Sequence, residues 1–431
     1  MYRVWKLISN YSLLLIGGAL LALLWANLDP VTYHHFINTP LLFNGQIGLE
    51  VSEWIHEYGP VAEALAPPGA ARVVTVHFLI NDMLMALFFA MAAKEVWEAL
   101  ILNEGSLRGR KAATPLIATL GGMTGPVLVY LGIALLFGSD TFDAVFRGWA
   151  VPTATDIAFS YLVGRIVFGA GHPAVRFLLL LAIADDAGGL LILAVFYPTG
   201  DLAPLWLLLS LAAALAVFFG FNWLPRRLDR GKQERPNSTW MRKVLGPWPY
   251  VLAGIVSWYA FARSGLHPAL GLLPIVPAVP HADRGFGIFA EAEKHLTDLL
   301  NRMEQAIKAP VEVILFFFGL VNAGVAFAAI GEPTLLVVMG LILGKPVGIF
   351  LFGWFAARML KLGLPDGMNL KDLFVLGTVA SIGFTVALFV ASVAFEPGPV
   401  QDAAKMGALM SFFGGAIAIA AGLLLRVEKV K

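Results

Sequence analysis

The chain has no cysteine. That excludes disulfide staples, thiolate metal sites and a cysteine nucleophile, while leaving the compartment open. Charge is scarce too: 14% of the 431 residues are Asp, Glu, Lys or Arg, against 58% hydrophobic, with a mean hydropathy of +0.78. A soluble domain carries about 25% charged residues, so the deficit points to a polytopic membrane protein. The net charge of +1 gives no footing for a nucleic-acid partner. No A-x-A-like cleavage site closes the first apolar segment, which follows MYRVWK, so it reads as a first helix rather than a signal peptide.

What the sequence does have is a succession of apolar runs of spanning length. They lie near 11–28, 78–102, 113–137, 150–169, 175–197, 203–222, 248–263, 266–280, 310–329, 334–357, 372–395 and 405–425, about twelve helices in one all-α membrane domain over residues 1–431. With both termini placed in the cytoplasm, about 24 of the 30 basic residues fall inside. Among them are Arg3, Lys6, Arg108, Arg110, Lys111, Arg284, Lys294 and the basic stretch of a mobile cytoplasmic linker, residues 223–247. The outer segment 29–76 contains TPLLFNGQIGLEV, whose Asn-Gly and alternating apolar residues predict a small β-hairpin. That segment reads equally as a solvated cap or as an edge for dimer contact.

Breakers inside the apolar runs carry more information than the loops. GWAVPTATDIAFS puts Pro152, two threonines and Asp156 inside a span, and VLGTVASIGFTVALF puts Gly377, Ser381, Gly383 and Thr385 inside a later one. Non-helical backbone at membrane depth is tolerated only where protein or a watery cavity surrounds it. The two breaks sit at the middle of spans three to five and of spans ten to twelve. That placement predicts inverted repeats over 112–197 and 334–426, with discontinuous spans 4 and 11 crossing near the midplane. Half-helix ends there would present backbone dipoles to an ion.

An ionisable group within a span costs at least ~2.5 kcal/mol on insertion scales. The spans hold Asp82, Lys94, Glu95, Glu98, Asp156, Asp185, Asp186 and Lys345. For Lys94, Glu95 and Glu98, at the inner end of their span, packing salt bridges and snorkelling are sufficient reasons. Asp185 and Asp186 in LAIADDAGG, and Lys345 in GLILGKPVGIF, lie near the middle of theirs and cannot reach an interface. Adjacent helical residues diverge by about 100°, so one aspartate can carry an ion while the other pairs with Lys345 or faces the same cavity. A carboxylate in a low-dielectric cavity holds a proton more readily, and a nearby cation reverses the effect. Protons and a small hard cation then compete for the same oxygens, with Asp156 and Thr155 adding hard ligands suited to Na+ or Li+. One such site, exposed alternately to either side, makes an antiporter.

The motifs INDMLMALFF, GWAVPTATDIAF, LAIADDAGG, SGLHPALG, NAGVAF, GKPVGI, LPDG and SIGFTVALFVASVAF, in this order, resemble those of the NhaA-type sodium/proton antiporter family over nearly the whole chain. The resemblance implies a helical bundle concerned with dimerisation beside a core of two crossed, broken helices. It implies electrogenic, pH-regulated exchange of cytoplasmic Na+ or Li+ for outside protons in a bacterial inner membrane, by a non-enzymatic homodimer surrounded by lipid that needs no cofactor. By motif match, Asp186 is the main ion ligand and Asp185 the partner of Lys345. Thr155 and Asp156 sit at the break, Asp82 and Glu95 are acids of the second span, and His267 is the histidine of the SGxH stretch. For His267 a packing or hydrogen-bonding role weighs at least as much as a sensor role.

The mouth departs from the family pattern. Where the family shows an acid followed by two histidines, this chain reads MEQAIKAP, keeping Glu304 but placing Gln305 and Lys308 at the histidine positions. In the second span KEVWEAL stands where the family is more basic: it keeps Glu95, brings Lys94 and Trp97, carries Glu98, and has Ala99 where an acid is usual. The resemblance ties these positions to alkaline activation, so a shifted pH dependence is expected. Three other readings fit less well. An intramembrane aspartyl protease needs a GxGD motif, and a UbiA-type prenyltransferase needs an NDxxD cluster that Asn81 and Asp82 begin but Leu84 and Met85 do not complete. A sodium-coupled organic-anion symporter of similar crossed-helix fold is the nearest alternative.

Overall fold

The computed structural model describes residues 13–101, 112–230, 236–281 and 298–430. Arg3, Lys6, Arg108, Arg110, Lys111, Arg284 and Lys294 lie outside the described residues. The fold is built of long helices: α1 (Leu13–Leu28), α2 (Val76–Ile101), α3 (Ala113–Phe137), α4 (Ile157–Phe168), α5 (Pro173–Phe196), α6 (Pro204–Leu228), α7 (Pro236–Val244), α8 (Trp248–Ser264), α9 (Leu299–Asn322), α10 (Glu332–Met359), α11 (Leu370–Val379), α12 (Phe384–Ala394) and α13 (Pro399–Leu424). Among the described residues six of these (α2, α3, α5, α6, α10 and α13) are long and apolar enough to cross a membrane, and α7–α8 and α11–α12 are bent pairs. Their outer faces are apolar: on α3, Leu128 and Leu136 are 71% and 85% exposed. Such a surface suits lipid and would aggregate in water.

Run 266–280, expected as a span, forms two 3-10 turns, Pro268–Leu270 and Val276–Ala278. The cause is local: Pro268, Pro274, Pro277 and Pro280 each remove a backbone donor and crowd the preceding turn. Part of the 223–247 linker is ordered, with α6 reaching Leu228 and α7 occupying Pro236–Val244. Asp229 holds the two together, its carboxylate accepting from the backbone N–H of Asn237 (3.0 Å) and of Ser238 (2.7 Å).

The outer segment contains strands, though not the expected hairpin. β1 (Pro40–Asn44) and β2 (Leu49–Glu50) both pair antiparallel with β3 (Arg72–Thr75), which lies between them. The Asn-Gly turn is present: the Asn44 side chain accepts from the N–H of Gln46 and Ile47. It links two strands that never pair with each other, because Val51–Tyr58 and Pro60–Leu65 form short helices that bring Arg72–Thr75 back between them. Trp54 plugs the resulting cap, fully buried, its indole donating to Asn38 O.

The seam that matters most for the interior joins α3 to α10. Gly340, Gly344 and Gly348 recur every four residues along α10, the small-residue pattern that lets membrane helices touch backbone to backbone. A Cβ at Gly348 would lie 2.0 Å from Gly121 O, and one at Gly125 would lie 2.3 Å from Gly344 O. A π-turn over Gly340–Gly344 immediately precedes Lys345, so this close approach sets where the lysine stands.

Candidate functional site

Pro152 lacks a donor, and the chain around it, Phe146–Thr153, winds as a 3-10 helix before Ala154 turns extended. Regular helix resumes only at Ile157, capped by Asp156, whose carboxylate accepts from Phe159 N (3.2 Å). In the second interrupted segment, α11 and α12 are bent by 53° across Ala380–Gly383. The two breaks satisfy one another. Asp156 N–H donates to Ile382 O (2.7 Å), Thr155 Oγ1 to Ala380 O (3.2 Å) and Ser160 Oγ to Val379 O (3.1 Å). Thr385 returns two bonds, from its hydroxyl and its backbone N–H, to Asp156 Oδ2. Orphaned backbone groups at membrane depth thus find partners, as hydrocarbon requires.

Beside this junction, α5 brings the aspartate pair and α10 brings Lys345. Lys345 is fully buried, its Nζ 2.7 Å from Asp185 Oδ2 and also donating to Thr153 O. Thr155 stands against the same carboxylate. One helical step on, Asp186 points elsewhere, into a cavity of about 140 Å³. Asp156, Thr155 and Thr385 line that cavity with it, as do Glu95 from α2 and Lys308 and Glu312 from α9. The geometry therefore divides the pair: Asp185 is engaged by an ammonium, and Asp186 faces a cavity with room for several waters, its wall carrying the hard oxygens of Asp156, Thr155 and Thr385.

The remaining candidates form two further groups. Lys94 is a buried hub, its Nζ 2.9 Å from Glu98, 2.8 Å from Glu304 and 3.4 Å from Glu95. Lys94 is only 2% exposed, so it does not snorkel; it ties α2 to α9 through Glu304. Glu98 and Glu304 do not line the cavity, whereas Glu95 does. At another point on α2, His267 Nε2 lies 3.8 Å from Asp82 Oδ1, and the other ring nitrogen of His267 accepts from Ala269 N at 3.3 Å, starting the 3-10 turn. The imidazole also meets the Phe389 ring edge-on at 4.9 Å. Asp82 and His267 are absent from the cavity wall, and their contacts are those of helix packing.

Sequence reasoning missed two wall residues. Thr385 was visible only as a breaker in SIGFTV, since nothing in its spacing from Asp156 foretells a hydrogen bond across 229 positions. Glu312 lies in PVEVILFFF at the start of an apolar run. Its signal was available: it follows Lys308 by one helical turn, on the face of α9 that meets the aspartates.

Residues 3–425 match the sequence pattern of the family described as Na+/H+ antiporter 1. The chain is 67% identical over 429 residues to a Na(+)/H(+) antiporter NhaA of Jannaschia sp. (strain CCS1), covering 100% of this chain and 99% of that protein. It is 42% identical to a protein of the same name from Geobacter sulfurreducens, over 99% of this chain and 98% of the relative. A further relative of that name, from Desulfitobacterium hafniense, is 44% identical over 98% of this chain and 96% of its own length.

Proposed function

The chain belongs to the Na+/H+ antiporter 1 family, and from that premise we propose how its geometry performs the exchange. It is a multi-pass membrane protein that exchanges Na+ for H+, a transporter and not an enzyme, whose transported ions serve without a cofactor. Asp186 is the alternating ligand: protonated, or bound to Na+ together with oxygens of Asp156 and Thr155. The observation that carries this reading is the position of Asp186 in the cavity wall with those residues, while Asp185 is taken up by Lys345 at 2.7 Å. Net charge moved by the cycle comes from a further proton held at the Asp185–Lys345 pair, whereas at Asp186 a proton and Na+ each neutralise the same carboxylate and exclude one another. That competition is the coupling.

The finer architecture follows the same reading. The two breaks belong to discontinuous helices that cross at the midplane, within inverted repeats over 112–197 and 334–426, in a domain of twelve spans. The mutual hydrogen bonds of Asp156 with Ile382 and Thr385 support the crossing. Both termini are cytoplasmic in a bacterial inner membrane, supported by the inward excess of Lys and Arg. Li+ is carried as a second small hard cation, and the protein works as a homodimer. Exchange is electrogenic and pH-regulated, with Glu95, Glu98, Glu304, Lys308, Asp82 and His267 acting on the response and not on the ion.

The test is reconstitution in sealed proteoliposomes with an internal pH dye, adding Na+ or Li+ across a pH series. Wild type dissipates the proton gradient on addition of either cation, and Asp186→Asn does not. Retention of cation-dependent proton movement by Asp186→Asn would remove the ion ligand from this scheme. Uptake of an organic anion with Na+, in place of proton movement, would favour the symporter.

A further inference from the structure

The cavity below Asp186 holds a carboxylate that the exchange scheme does not use. Glu312 projects into it from α9, one turn beyond Lys308, and is 8% exposed. Its Oε2 is sealed from bulk solvent and has no hydrogen-bond partner in the protein. An acceptor left bare in a low-dielectric wall loses the hydration of its charge without replacement. A residue with only a packing role would be apolar here, since Val311 and Leu315 flank it on the same wall. A cation within the cavity would satisfy Oε2 directly or through retained water.

We propose that Glu312 is a recruitment station for a partly hydrated monovalent cation, holding Na+ or Li+ in the cavity before it reaches Asp186. The inference rests on the assignment of Asp186 as the exchange ligand. Glu312 shares the cavity wall with the carboxyls of Glu95, Asp156 and Asp186 and with Lys308, so the station is bounded by carboxyls toward the aspartate pair and α2 and by an ammonium along α9. Lys308 keeps the cavity from retaining the ion too tightly, and Glu312 keeps Lys308 from repelling it. The pair sets the local cation concentration seen by Asp186, which makes Glu312 a residue of apparent affinity and not of turnover.

The absence of cysteine from the chain supplies a clean test. Glu312→Cys is purified, modified in detergent with either a sulfonatoethyl or a trimethylammonioethyl methanethiosulfonate, reconstituted, and assayed for the Na+ dependence of proton movement. The unmodified variant is expected to show a KM for Na+ raised about 3- to 10-fold. The anionic adduct returns KM toward wild type, and the cationic adduct raises it further. A KM independent of the sign of the adduct would overturn the station. So would a variant whose maximal rate falls at constant KM, the outcome expected of a packing defect. Glu312→Asp serves as the conservative control, with a KM between wild type and Glu312→Cys; a KM as high as that of Glu312→Cys, in a protein of wild-type thermal midpoint, would also count against the proposal. Asp186→Asn is run in parallel: if it still couples Na+ to protons, the underlying ligand assignment fails whatever Glu312 does.

Discussion

At the scale of the residue, the pair Asp185–Lys345 is the sharpest case of charge held far from water. Neither partner could stay ionised alone at full burial, and breaking a buried pair by removing one member costs about 3–5 kcal/mol. Lys345→Ala should therefore lower the thermal midpoint in detergent strongly, and adding Asp185→Asn to it should recover part of the loss. A thermal-shift double-mutant cycle checks this. Additive effects of the two substitutions would show that the 2.7 Å contact carries no coupling. The sequence made these two residues legible because charge at the centre of an apolar run has few bland explanations. It left Lys94 ambiguous, since a lysine near a span's end can reach water along its own stem. Only the fold shows that Glu304, 210 positions away, closes on it at 2.8 Å. Glu312 stayed hidden for a related reason: at the edge of a run, an acid looks like a boundary.

Elements were legible where pattern is strong and helix-forming, and illegible where proline or pairing intervened. The long apolar runs became α2, α3, α5, α6, α10 and α13, because an uninterrupted hydrophobic sequence in lipid has only one way to satisfy its backbone. The run at 266–280 has the composition of a span and too many prolines to be one. The β-hairpin reading failed because pairing partners lie beyond any local window: β3 is supplied by Arg72–Thr75, after two intervening helices. Packing of α3 on α10 leads to a prediction. Gly348→Ala places a methyl 2.0 Å from Gly121 O, so the helices must separate, at a cost of about 1–3 kcal/mol for overpacking. Because Lys345 is one turn away, the same substitution should slow Na+-dependent exchange as well as lower the thermal midpoint. Full activity in a destabilised variant would uncouple the seam from the site. The linker offers a pH-dependent case. Burial disfavours the Asp229 carboxylate, but hydrogen bonds from Ser238 and Asn237 outweigh it and hold the group well below the usual carboxylate range. A carboxyl depressed on folding contributes above its unfolded pKa, about 3.9, and loses that contribution as pH falls toward the folded value. Attachment of α7 should be unchanged from pH 8 to 5 and weaken below about pH 4, read by hydrogen-exchange protection factors of the α7 amides, which are corrected for the intrinsic pH dependence of exchange. Asp229→Asn should show at neutral pH the lowered protection that wild type shows in acid; equal protection of the variant at pH 7 would dismiss the cap.

For the whole molecule, the question is how many charges cross per cycle. One Na+ carries a single positive charge, while the interior offers Asp185, Asp186 and Lys345 as groups that can exchange protons, clustered around the 2.7 Å ion pair. If Na+ binding at Asp186 also weakens the hold of its neighbours on a proton, two protons leave for each Na+ that enters. The return step then moves net positive charge into the cytoplasm. A membrane potential of 100 mV, negative inside, contributes about 2.3 kcal/mol per net charge to that step, so exchange should accelerate under such a potential and slow under the opposite one. A K+ diffusion potential set with valinomycin in the same proteoliposomes measures the effect without altering either ion gradient. Lys345→Ala, where it still folds, separates the possible proton carriers. Loss of the potential dependence with Na+ coupling intact would assign the second proton to the Asp185–Lys345 pair, and a rate indifferent to potential in wild type would mean one proton per Na+.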